Sequence, residues 1–362
     1  MERREFITAI AAALSLPAAK VLAQTTTPSL KDACKGMFVI GTALDFRSAN
    51  EFSAADLDFI KSQFNGITPE NSMKPGPVHP QEATWNWTQP DALVDFCQAS
   101  NIKTFGHCLV WHSQTNPWFF QDATREPTLA RLRDHIHTLV GRFKGKMSGW
   151  DVVNEAINDG ANAAGGENLR NSMWHQIVGP DYLTQAFTFA READPAVPLH
   201  YNDYNIESGA KHQSSLVLLK RLIADGAPIT TVGIQGHWSV TNLNAQKLED
   251  IDQAISNYKA LNLKVAISEL DLTLSGTGGG QLGQGQRGAA TTPPSPESLA
   301  AQAEAYGKLF ALFKKHRDAI DRVTFWGLND NRSWRRGQSA LVFDGTNQPK
   351  PALQAIVNAV RQ

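Results

Sequence analysis

Short runs rich in apolar and β-branched residues alternate along the chain with longer stretches in which apolar positions recur every three to four residues. The short runs read as strands at 38–44, 66–70, 103–111, 149–155, 199–204, 231–237, 264–271 and 322–328. The longer stretches read as helices at 54–64, 91–100, 128–143, 182–193, 211–225, 245–261 and 297–316, with a closing helix at 351–360. Local punctuation supports several boundaries. Ser53 precedes the first helix, Asp194-Pro195 follows the fourth, and Gly226 and Pro228 end the fifth. Strands that alternate with helices predict a parallel sheet, because each crossover returns the chain to the same end. Eight such units predict an α/β fold of the (β/α)8 barrel type in a single domain. A doubly wound open sheet is the alternative, and the strand count favours the barrel.

No internal repeat and no interdomain linker interrupts this alternation, so the 362 residues are expected to form one large catalytic domain over residues 24–362. The first 23 residues have a different character. A twin-arginine pattern at Arg3-Arg4 leads into an apolar stretch from Ile7 to Ala19 and then the small-residue site Val21-Leu22-Ala23. That order predicts an export signal of the twin-arginine type and a periplasmic or secreted mature protein; a ragged helical start is the alternative. The apolar run is short for a membrane span and Pro17 interrupts it, so no membrane association is expected after signal removal. A net charge of −1 gives no sign of a nucleic-acid partner, and a monomer is expected. Cys34, Cys97 and Cys108 are too few and too scattered for a disulfide framework or a C-x-x-C zinc site.

The unusual residues gather at one place on this map. Clusters of Trp, His, Asn and carboxylate fall at the C-terminal end of a strand or just beyond it, the face on which barrel enzymes build their sites. Glu155 ends the run Trp150-Asp151-Val152-Val153-Asn154-Glu155, and Glu269 lies within Ile267-Ser268-Glu269-Leu270-Asp271. Each terminates an otherwise apolar strand, and a barrel would bring the ends of strands four and seven to opposite sides of one bowl. Glycosidic cleavage needs such a pair, one acid for the leaving oxygen and one carboxylate at the anomeric carbon. A structural salt bridge explains either Glu alone, but not both together with their surroundings. His237 is a natural partner for Glu269, and Asp271 is placed to orient His237. Trp111, Trp326 and Trp334 can stack on the flat faces of sugar rings; core packing is the usual role of a single Trp, but the polar stretch 327–337 between and beyond the last two is no core. Glu70, Asn71, Lys74, His107, Asn154 and Gln235 can read sugar hydroxyls, which both donate and accept.

A hydrolytic metal site on His107, His112 and His237 is the rival chemistry. No H-x-H or H-E-x-x-H spacing occurs, and the separation of His107 and His112 tends to turn them to opposite faces, so no metal is expected. A barrel that cuts cellulose or mixed glucans and a non-catalytic carbohydrate-binding barrel are further alternatives. The Gly-, Gln- and Pro-rich stretch 275–296 reads as a surface insertion or, less economically, a flap over the groove.

Seven segments resemble glycoside hydrolase family 10, the retaining endo-β-1,4-xylanases, in order and spacing from Phe38 to the C-terminus. They are Thr68-Pro69-Glu70-Asn71-Ser72-Met73-Lys74, Gly106-His107-Cys108-Leu109-Val110-Trp111-His112-Ser113-Gln114, the run from Trp150 to Ala156, Asn202-Asp203-Tyr204-Asn205, Gly233-Ile234-Gln235-Gly236-His237, the run from Ile267 to Asp271, and Trp326-Gly327-Leu328-Asn329-Asp330. The resemblance implies Glu155 as acid/base and Glu269 as nucleophile. It implies that Glu70, Asn71, Lys74, His107, Trp111, Asn154, Gln235, His237, Trp326 and Trp334 bind sugar on the non-reducing side of the cut, with Tyr204 a further groove residue. It also implies xylan and xylo-oligosaccharides as partners and no cofactor. Cys108 stands where the family usually has Thr, Thr231 replaces a frequent Gly, and Trp238 a frequent aliphatic residue.

Overall fold

The computed structural model describes residues 28–48, 51–161, 165–274 and 293–361. The expected export signal lies outside these residues, as does most of the Gly- and Gln-rich stretch. The strands are β1 (Val39–Leu44), β2 (Gly66–Pro69), β3 (Lys103–Trp111), β4 (Gly149–Asn154), β5 (Leu199–Asp203), β6 (Thr231–Ile234), β7 (His237–Ser239), β8 (Lys264–Thr273) and β9 (Ile320–Phe325). The main crossover helices are α2 (Ala54–Gln63), α4 (Thr88–Ala99), α5 (Arg125–Arg142), α7 (Tyr182–Ala193), α8 (Gly209–Ala224), α9 (Ala245–Ala260), α10 (Pro296–Lys315) and α11 (Pro351–Arg361). Three short helices, α1 (Leu30–Ala33), α3 (Pro75–Val78) and α6 (Met173–Val178), fall in segments too brief to show a helical period.

Eight strands pair in parallel, from β6 through β5, β4, β3, β2 and β1 to β9 and β8. Pairing of β6 with β8, through Val232↔Val265 and Ile234↔Ile267, closes the sheet into a barrel. The expected sixth strand is one residue run in the sequence but two strands in the fold. Gly236 has φ +82°, a left-handed conformation that ends β6 and re-aims the chain. The short β7 then pairs with the outer end of β8, His237 opposite Asp271. This break carries His237 over to the Glu269 strand.

Helix starts show why two boundaries fall earlier than the pattern suggests. Pro90 and Pro127 each lie in a first helical turn, α4 beginning at Thr88 and α5 at Arg125. A first turn leaves its N–H groups unpaired, so proline fits there. Ser53 caps α2 with a reciprocal capping box: its hydroxyl accepts from the Asp56 amide at 3.1 Å and its own amide donates to the Asp56 carboxylate at 3.1 Å. The closing helix α11 buries Leu353, Ile356, Val357 and Val360, a stripe at i, i+3, i+4 and i+7 that packs against α10. Each such aliphatic side chain contributes about 1.5–3 kcal/mol on full burial. Inside the barrel, glycine makes room for polar groups near the site. A Cβ on Gly233 would lie 2.2 Å from Asn202 Oδ1.

Candidate active site

The barrel's C-terminal ends converge on a cleft of about 900 Å³. Its lining includes Glu70, Asn71 and Lys74 after β2, His107 and Trp111 from β3, Asn154 and Glu155 at the end of β4, and Gln235 and His237 around the β6–β7 break. Glu269 from β8 and Trp326 and Trp334 after β9 complete the set. Twelve of the thirteen residues singled out as catalytic or sugar-binding therefore share one depression. Tyr204 does not. It is only 4% exposed, and its ring lies under Lys211 Nζ at 3.5 Å from the centroid. Its hydroxyl is taken up by Asp159 and by Arg170 at 3.1 Å. Arg170 also donates to Glu155 O at 3.2 Å, so Tyr204 braces the segment that carries Glu155.

Glu155 leaves β4 with φ 58°, a left-handed conformation that costs a non-glycine residue about 1–3 kcal/mol and is held by the surrounding bonds. Its amide donates to Asn202 O at 2.8 Å, which fixes the turn. Trp111 Nε1 donates to Oε2 at 2.8 Å and Gln235 Nε2 to Oε1 at 2.9 Å. Burial, followed by the negative charges of Asp203 and Glu269, pushes this carboxyl above its ordinary pKa despite both donors. His112 Nδ1 stands 3.9 Å away, but burial and the Arg170 charge push this imidazole down to about 4, so it brings no positive charge at neutral pH. His107 faces the cleft and His112 does not line it.

Glu269 is as buried as Glu155 but is held in the opposite state. Asn202 Nδ2 donates to Oε1 at 2.8 Å and His237 Nε2 to Oε2 at 3.1 Å. Burial opposes ionisation. The His237 hydrogen bond, the charges of His107 and His237, and the Asn202 amide together outweigh it, and the carboxyl sits below its ordinary pKa. His237 can donate through both nitrogens because Asp271 accepts from Nδ1 at 2.8 Å. Burial alone would lower the imidazole, but Asp271 and Glu269 raise it to about 9. Asp271, fully buried beneath the cleft, also accepts from Trp334 Nε1 at 2.7 Å and pairs with Arg335 Nε at 3.3 Å. One carboxylate thus orients the histidine, the indole and the arginine.

Amides join the two carboxyls. Asn202 Nδ2 donates both to Glu269 Oε1, at 2.8 Å, and to Asn154 Oδ1, at 2.9 Å. Asn202, fully buried at the end of β5, belongs to the site although only its segment drew notice in the sequence; its place at a strand end beside a second strand-end amide is the signal. Below it, Asp151 accepts from His107 Nδ1 at 2.9 Å, with His200 Nδ1 at 3.2 Å and Arg322 Nη2 at 3.0 Å around it. Asp45 holds the wall that carries Glu70, accepting from the amides of Asn71 and Ser72 at 2.9 and 3.0 Å. Lys74 Nζ donates to Asn71 Oδ1 at 3.1 Å and lies 5.0 Å from the Trp111 ring centroid. Trp334 is half-buried and lines the cleft, whereas Trp326 is only 6% exposed and offers a small patch of wall. Two buried carboxyls, one biased to carry a proton and one to be ionised, in a cleft edged with indole and amide groups, can perform acid-assisted nucleophilic displacement on a sugar.

Residues 29–359 match the family model described as glycosyl hydrolase family 10. The chain belongs to glycosyl hydrolase family 10. Among relatives of this family 10 chain, endo-1,4-beta-xylanase B of Paenibacillus barcinonensis is 38% identical over 345 residues, covering 92% of this chain and 98% of that protein. An endo-1,4-beta-xylanase/feruloyl esterase of Xylanibacter ruminicola is 37% identical over 346 residues, and there the match spans 91% of this chain but only 46% of the relative's length. Among solved structures, a substituted form of the intracellular xylanase of Thermoanaerobacterium saccharolyticum in complex with xylotetraose superposes with a TM-score of 0.81 at 37% identity, covering 92% of this chain and 99% of that one. The three cysteines of this family 10 chain are buried and unpaired among the described residues, and burial pushes the Cys34 and Cys97 thiols up to about 12.

Proposed function

We propose that the protein is a retaining endo-1,4-β-xylanase, with Glu155 as general acid/base and Glu269 as nucleophile. The observation that carries this reading is the opposite bias of two carboxyls in one cleft, Glu155 raised and Glu269 lowered from their ordinary pKa. In the first step a Glu269 carboxylate oxygen bonds to the anomeric carbon of a bound xylose unit while the bond to the departing oxygen breaks. Glu155 gives its proton to that oxygen, and a covalent xylosyl-enzyme remains. In the second step Glu155, now a carboxylate, takes a proton from water. The water oxygen bonds to the anomeric carbon and the Glu269 oxygen leaves, so two inversions give net retention. The xylotetraose bound by the Thermoanaerobacterium saccharolyticum relative supports a pentose chain as the occupant.

The test is ¹H NMR of the first product released from xylotetraose, before mutarotation. A β product is expected; an α product would make the reaction inverting and remove Glu269 as nucleophile. Glu269→Ala should abolish turnover while the fold and xylan binding remain. Reducing-sugar release from xylan but not from carboxymethylcellulose separates this reading from a glucanase. The charge pattern and small-residue site of residues 1–23 further support export by the twin-arginine route ahead of a barrel domain at 24–362, with the mature protein periplasmic or secreted. Replacing Arg3 and Arg4 by Lys should strand activity in the cytoplasm.

A further inference from the structure

Most charged groups that line the cleft are already matched. Asp45 is committed to the backbone amides of Asn71 and Ser72. Glu51 pairs with Arg332 Nη1 at 2.9 Å, and Glu269 with His237. Among the cleft-lining arginines, Arg47 and Arg336 are the exceptions. Both are exposed, both line the cleft, and among the described residues neither guanidinium has a hydrogen bond or ion pair, although the Arg47 charge is felt by the Glu70 carboxyl across the wall. A guanidinium is a poor choice for reading neutral sugar hydroxyls alone, because it only donates. Its fixed fork matches a carboxylate. Arg47 lies two residues beyond Asp45, which anchors the wall that carries Glu70 and Asn71. Arg336 lies two residues beyond Trp334. These are the segments expected to hold sugars on the non-reducing side of the cut.

We propose that Arg47 and Arg336 recognise a carboxylate carried on the polysaccharide, a uronic-acid substituent on the non-reducing side of the scissile bond. The inference rests on the xylanase reading and adds a preference within it. Neutral xylan would need neither arginine, and acidic branches would be favoured rather than merely accommodated. Each contact is open to water, so each is weak and sensitive to salt.

The experiment compares kcat/KM for a xylo-oligosaccharide bearing one glucuronic acid with that for the same oligosaccharide after its carboxyl is reduced to an alcohol, and with the undecorated chain. The wild type should prefer the acidic oligosaccharide over its reduced form by about tenfold in low salt. Arg47→Gln and Arg336→Gln should each cut that preference about threefold, through KM, and together nearly abolish it, with the undecorated chain cleaved as before. Added 0.5 M NaCl should erase the wild-type preference. An acidic-to-reduced ratio that is the same in the wild type and the double variant would overturn the proposal. If the wild type cleaves no undecorated xylo-oligosaccharide, the hydrolase reading itself fails and this proposal falls with it.

Discussion

Replacing His237 by Asn tests the electrostatics of the nucleophile's side of the cleft. The imidazolium stands between two buried carboxylates, 3.1 Å from Glu269 and 2.8 Å from Asp271. Its pKa rises from 6.5 to about 9, which corresponds to about 3 kcal/mol favouring the charged ring. His237 is almost fully buried, so little solvent screening reduces this figure. A histidine whose folded pKa is raised contributes its full stabilisation below its unfolded pKa and loses it as pH rises through the folded value. The contribution is therefore complete below about pH 6.5 and gone above about pH 9. Urea unfolding of the wild type and His237→Asn at pH 6 and pH 9.5 should show the variant's deficit shrinking by about 3 kcal/mol between the two. In the same variant Glu269 loses a charge-assisted donor worth about 1.5–3 kcal/mol, so its pKa and the acid limb of kcat/KM should rise by about one to two pH units. A deficit that does not change with pH, together with an unmoved acid limb, would refute the assignment of His237 as a cation shared by the two carboxylates.

Other consequences follow from the same contacts. Glu155→Gln should lower turnover of xylo-oligosaccharides by about 10²–10⁴-fold, yet spare the first step for an aryl xyloside whose leaving group needs no proton, which a burst of released phenol would reveal. Trp111→Phe removes an N–H that favours the ionised Glu155, so the alkaline limb of the kcat pH profile should move upward, by up to about one pH unit. Arg322→Met leaves Asp151 buried without its guanidinium and should cost about 3–5 kcal/mol in unfolding free energy.

Much of this fold was legible because strand and helix patterns alternate with little interruption, and each strand ends in a run of chemistry-bearing residues. Glu155 and Glu269 stood out because an apolar strand has no local use for a terminal carboxylate. The split of the sixth strand at Gly236 was hidden, since Gln235 and His237 read as a continuous run and only the left-handed glycine separates them. Asn202, Asp45 and Asp151 were harder still to place. Their roles depend on partners 26 to 171 positions away in sequence, such as Asn71 and Arg322, which closure of the barrel alone brings near. Tyr204 shares a segment with Asn202, but its partners Arg170 and Asp159 lie 34 and 45 positions away and cannot be read from that segment. In α4 and α5 the helix begins three residues before the apolar pattern does, with Pro90 and Pro127 inside the first turn.

The most direct measurement is titration of the two carboxyls by ¹³C NMR in protein labelled at glutamate, with signals assigned from Glu155→Gln and Glu269→Gln. Glu269 should titrate below 4.5 and Glu155 above it, leaving a pH interval in which one is charged and the other is not. The reverse order, or a shared midpoint near the ordinary carboxyl value, would contradict the division of labour between them.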